Sequence, residues 1–207
     1  MRDKVMFLFS VIFAAVLVIK IFGDFEVSKN SALDVRKNWG YQNTVTTIYL
    51  KDRMYDTIFE VLIFSLVVAG VVSHHRNLSY STSDIEEDIV KRISDFFGFL
   101  VMIFSLYMAI TGHKYPGGGF TAGVAGGTAL MLMGFSRGFE NFEAEFEKYK
   151  VDIVEKTLVA IIVSTSIIEF WLKVDRLIII QNVLIYFKVM AGTWIMIYNL
   201  MKHRGIV

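Results

Sequence analysis

The sequence predicts an all-α, polytopic membrane protein with six transmembrane helices, and three observations carry that prediction. Of 207 residues, 55% are hydrophobic, where an ordinary soluble domain has about 45–50%. Mean hydropathy is +0.53. The apolar residues also gather into runs close to the roughly 20 residues that cross a bilayer core. The chain has one proline and no cysteine. No cysteine means no disulfide framework, thiolate zinc site, cysteine-ligated iron–sulfur cluster or cysteine nucleophile, so any electron transfer falls to another chain. A net charge of +1 gives no electrostatic reason for a nucleic-acid partner.

Taken in order, the predicted spans are Val5–Phe22, Asp56–Val72, Ile93–Thr111, Gly118–Phe135, Asp152–Leu172 and Leu177–Leu200. Arg2 and Lys4 before the first run would also suit a signal peptide. The run is long for that, and no small-residue cleavage site follows it, so a retained helix is expected. The fifth span is the most charged, because Glu155, Lys156 and Glu169 leave only Thr157–Ile168 fully apolar. Six spans put both termini on one side, and basic residues favour that side by ten to eight. The termini are therefore expected in the cytoplasm. The chain divides into a two-helix front part (1–75), a linker (76–92) and a four-helix back part (93–207). In the loop between the first two spans, the β-branched stretch Thr44–Leu50 is expected to be extended. His74-His75 reads as an interfacial pair without a third ligand nearby.

The most specific local feature is Gly112-His113-Lys114-Tyr115-Pro116-Gly117-Gly118-Gly119-Phe120, followed by Gly123, Gly126 and Gly127. Pro116 should end one helix or open the next, since its fixed φ suits a first helical turn. Gly117 and Gly118 then permit a hairpin with almost no loop. Gly119, Gly123 and Gly127 repeat at every fourth position and line one helix face, which lets a neighbouring helix come close. An alternative use of the opened backbone is to line a polar cavity. A phosphate-binding loop is disfavoured, because the Lys-Ser/Thr ending is missing.

Gly112-His113 followed by Pro116–Phe120 resembles the signature of the MnhB-like module of Mrp-type multisubunit sodium/proton antiporters. That module is also found in archaeal membrane-bound hydrogenases and sulfur-reducing complexes related to respiratory complex I. Asn182 and Lys188–Gly192 are similar to its closing helix. In the front part, Asn43–Ile48, Asp52-Arg53, Asp56-Thr57 and Glu60 resemble the end of the large antiporter subunit, with Lys51 and Met54-Tyr55 departing from its pattern. The resemblance implies a subunit of a prokaryotic plasma membrane, set in the bilayer among other antiporter-like subunits and, in some complexes, hydrogenase-like or sulfur-reducing redox subunits. It implies Na+ and H+ as transported ions, with no cofactor held by this chain. Any enzymatic chemistry would belong to the partners.

Four ionisable residues are candidates for an ion path. Lys188 lies mid-span, where a charge costs at least about 2.5–3.5 kcal/mol and marks function by default. Gln181, Lys188, Gly192 and Asn199, spaced seven, four and seven apart, form one polar stripe. Gly192 is expected to leave room for the lysine side chain or water. The structural alternative is a lysine paired with a carboxylate of a partner subunit. Glu60 stands one turn into the second span behind Asp56, as an interfacial carboxylate or an ion entrance. His113 is either a relay or a cap on the preceding helix. Glu169 is expected to pair with Lys173, four residues on. A scaffold that joins antiporter and redox modules without conducting ions is the competing function. An autonomous transporter is disfavoured, because no paired repeats are present.

Overall fold

The computed structural model describes residues 44–48, 50, 54–75, 88–172 and 178–202. The chain divides into Met1–Asp34 and Val35–Val207, and everything below concerns the second unit. The predicted span at Val5–Phe22, the Asp52-Arg53 motif and Lys173 lie outside the described residues, as does the side chain of Glu169.

Every described element is helical: α1 (Thr44–Thr47), α2 (Met54–His75), α3 (Asp88–Thr111), α4 (Gly119–Arg137), α5 (Phe139–Tyr149), α6 (Val151–Leu172) and α7 (Ile178–Lys202). Among the described residues, α2, α3, α4 and α7 are long and apolar enough to cross a membrane. The interior of such a helix keeps its backbone hydrogen bonds within its own segment, as a lipid environment demands. α6, the predicted fifth span, is a 22-residue helix. Asp152, Glu155 and Lys156 place three charges in its first two turns.

α7 is the hub and touches every other long helix. In its most apolar window 61% of residues are buried, against 22% in α2 and in α3. The outer face of α3 carries Phe96, Phe99, Ile103, Phe104 and Tyr107, all exposed, as a lipid-facing helix would.

Two sequence expectations change. Thr44–Leu50 is not extended in its described residues: α1 covers Thr44–Thr47, and Ile48 and Leu50 are also helical. β-Propensity loses here to burial, because Thr46 donates its hydroxyl to the Gly112 carbonyl at 2.8 Å and Leu50 enters the core. Pro116 neither closes α3 nor opens α4; it is exposed within the seven-residue connection 112–118. Gly117 and Gly118, at φ +146° and +154°, turn the chain where an L side chain would be strained. Between the fourth and fifth predicted spans the chain after Gly138 forms the amphipathic helix α5.

Phe142 and Phe146 turn the apolar side of α5 onto Trp194 and Tyr198 of α7, with the Phe146 and Tyr198 rings stacked at 4.2 Å. Its outer side carries the exposed Glu140 and Glu147 and the half-buried Glu145. A polar clasp completes the joint. Tyr198 donates to Glu143 at 2.6 Å, and the Lys202 amine donates to the same carboxylate at 3.0 Å. Burial pushes the Glu143 carboxyl up, but the bonds from Tyr198 and Lys202 and the lysine charge outweigh it and hold the group below 4.5. A carboxyl lowered on folding contributes above its ordinary value and loses that contribution as pH falls through the lowered one. The protection of α5 amides from hydrogen exchange, relative to the intrinsic rate at each pH, should therefore be high at neutral pH and fall below about pH 4.5. In Glu143→Gln that pH step should vanish.

Candidate ion-path site

Two polar features lie against α2, one on its hairpin side and one towards α6 and α7. The first is a cleft of about 470 Å³ between α1, the start of α2 and the glycine hairpin. Thr46, Thr57, Glu60, Thr121 and Asn182 supply its polar groups. Apolar walls come from Leu50, Val61, Phe120 and Ile185. Its volume would hold on the order of fifteen waters at about 30 Å³ each. Glu60 is exposed, and among the described residues its carboxylate has no hydrogen-bond or ion-pair partner. Asp56, one turn earlier, is half-buried.

Asn182 locks the hairpin behind this cleft. Its Oδ1 accepts from the Gly119 N–H, and its Nδ2 donates to the Ala109 carbonyl, both at 2.6 Å. One amide thus satisfies an orphan donor at the start of α4 and an orphan acceptor near the end of α3. The glycine face of α4 lies on α7 so closely that added Cβ atoms would collide. They would stand 2.2 Å from the Asn182 carbonyl oxygen at Gly119, 2.6 Å from Val189 Cβ at Gly123 and 2.4 Å from Thr193 Cβ at Gly127. His113 is half-buried in the connection, with Nδ1 3.0 Å from the Ile110 carbonyl.

The second feature is Lys188, which is fully buried. Its Cα lies ten residues into α7, about 15 Å from the helix start at 1.5 Å per residue. The amine donates to the Val61 carbonyl at 2.9 Å, lies 3.5 Å from Glu155 Oε1 and sits 4.3 Å over the Phe64 ring. Ser65 donates to the same Glu155 oxygen at 2.7 Å. Val61, Phe64 and Ser65 share one face of α2 at helical spacing, so a single turn serves both charges. Two ions taken out of water are tolerable only with this degree of pairing and hydrogen bonding.

The lysine's carboxylate therefore comes from this chain, not from a neighbouring one as the structural alternative had it. Gly192 makes room for neither lysine nor water. Phe64 fills that space, and a Cβ at Gly192 would fall 2.5 Å from Phe64 Cε1. The stripe on α7 also divides. Gln181 reaches α6 through Ser166 at 3.0 Å, whereas Asn199 bonds back to Ile195 of its own helix.

Glu155, read from sequence only as a charge that weakens the fifth span, is the residue the sequence reading missed. Its signal is spacing: among the described residues of α6, the buried ones are Val151, Glu155, Ile162 and Ser166, four, seven and four apart. A carboxylate on that inner face needs a cation opposite. Lys188 and Glu60 do not touch. Val61 stands between them, its side chain lining the cleft and its carbonyl holding the amine.

A multi-pass membrane protein with an ion pair sealed at its helix junction is the class that fold and site define. A domain related to the MnhB subunit of Na+/H+ antiporter matches residues 89–200, and the chain belongs to that family. The solved structure titled "Structure of the membrane-bound sulfane sulfur reductase (MBS), an archaeal respiratory membrane complex" contains a chain of similar fold. The TM-score is 0.66 at 20% identity, over 98% of this chain and 99% of that one. No curated protein matches the chain in sequence.

Proposed function

We propose that this chain is an integral subunit of an Mrp-type cation/proton antiporter module, with sodium as the cation, and that Glu60 and the Lys188–Glu155 pair stand on its ion route. The family of residues 89–200 supports the module. The partners would be other antiporter-like membrane subunits. The similarity to a chain of an archaeal respiratory complex supports a setting in which redox subunits drive the module. The cell membrane of a prokaryote, with both termini cytoplasmic, is the location this reading takes.

One observation carries the transport role: an exposed carboxylate, unpaired among the described residues, faces the cleft one residue from the backbone carbonyl that holds a buried lysine. An unpaired carboxylate attracts a cation, and the neighbouring amine can gain or lose a proton as that cation moves. The fully enclosed pairing of Lys188 within one chain favours a second reading, a scaffold whose ion pair fixes helix register and carries no ion.

Cation-driven proton movement in vesicles carrying the whole complex separates the two. Glu60→Gln, at an exposed position, leaves the fold intact. It should cut transport about tenfold or more, because a neutral amide no longer attracts the cation. Full transport in Glu60→Gln and in a Lys188→Met/Glu155→Leu double variant would make the chain a scaffold.

A further inference from the structure

The cleft and the buried pair are separated by one turn of α2, and the movable part of that partition is Phe64. Its ring is half-buried and touches a different element on each side. Towards the cleft it meets the Phe120 ring edge-on, with centroids 5.5 Å apart. Phe120 belongs to the hairpin and lines the cleft. Towards the interior the same ring covers the Lys188 amine at 4.3 Å. From behind, it occupies the space that Gly192 leaves open. Val61, the rest of the partition, is fixed differently: its side chain is buried and its carbonyl is bonded to the lysine. A backbone carbonyl in a helix cannot swing aside without unwinding the turn, whereas an aromatic ring needs only a change of side-chain rotamer.

We propose that Phe64 is a gate between the hairpin cleft and the Lys188–Glu155 pair, closed in this structure and opened by rotation of its ring away from Gly192. The proposal rests on the cleft being the aqueous end of the route proposed above. With the ring in place, the lysine faces an aromatic surface that attracts its charge but exchanges no proton. With the ring turned away, cleft water can reach the amine; an N–H proton passes to that water, and the neutral amine stays beside Glu155. Return of a proton from water reverses the step.

The absence of cysteine makes a direct test possible. A single cysteine replaces Val189, a fully buried residue one turn beyond the cleft-lining Ile185. Its rate of modification by a small charged thiosulfonate is then read in vesicles containing the assembled complex. A second single-cysteine chain, Ala129→Cys, is buried elsewhere in α4 and reports general loosening. In the Phe64 background Val189→Cys should react slowly. In Phe64→Ala it should react at least about tenfold faster, since modification tracks the open population, while Ala129→Cys stays slow. Phe64→Trp, with a larger ring, should remain slow at both positions. Equal rates at Val189→Cys in Phe64 and Phe64→Ala chains overturn the gate, as does acceleration at both positions together, which means loosening and not opening. The readout is water access and not transport, so failure of the gate is distinguishable from failure of the transport reading.

Discussion

Removing one member of the Lys188–Glu155 pair should cost far more than removing both. Glu155→Leu leaves a buried ammonium with one carbonyl and an aromatic ring. Lys188→Met leaves a buried carboxylate with one hydroxyl donor from Ser65. Breaking one side of a buried pair typically costs about 3–5 kcal/mol, whereas apolar replacement of both is often neutral or stabilising. Each single variant should lower the thermal midpoint of the detergent-solubilised chain sharply, and the Lys188→Met/Glu155→Leu double variant should recover most of it. The measurement is a double-mutant cycle on that midpoint, valid because the two residues touch. Additive losses in the double variant would falsify the pairing as a stabilising contact.

The second large effect concerns the glycine face of α4. Gly123→Val places branched carbon into a contact where even one Cβ would stand 2.6 Å from Val189 and 2.8 Å from the Tyr186 carbonyl oxygen. That carbonyl belongs to the backbone of the hub helix, so the neighbour cannot simply rotate away. Overpacking of this kind costs about 1–3 kcal/mol where a core can shift and more where backbone is struck. The expected result is loss of the folded chain from membranes, measured as a protease-resistant fraction. Gly70→Val is the matched control. A Cβ there meets nothing within 4 Å, and the variant should be tolerated apart from the small propensity change of a valine in a helix.

Much of the fold was legible because hydropathy is a collective property of some twenty residues. α3, α4 and α7 begin and end within a few residues of the predicted spans, apart from the earlier start of α3 at Asp88. The glycine register of α4 was legible for a similar reason. Three glycines at every fourth position can only line one face, and that face does lie against α7. What stayed hidden depends on contacts between distant positions. Nothing local tells Glu155 that its cation stands 33 residues later in sequence, or tells Gly192 that Phe64 will fill its gap. α5 could have been found: Phe139, Phe142, Phe146 and Tyr149 are spaced three, four and three apart among acidic residues, a one-sided helix too short and too charged to span. The α1 turn could not, because its threonines prefer strands and only the hairpin carbonyl it serves makes it wind.

Drawing both charges of the buried pair from one polypeptide has a consequence for biogenesis. A newly inserted copy brings its own counter-ion, so it can settle in the bilayer and fold before any sister chain has arrived. Order of assembly is then free to vary: this chain could wait as a stable intermediate, sheltered from the membrane proteases that clear chains with bare charges in lipid.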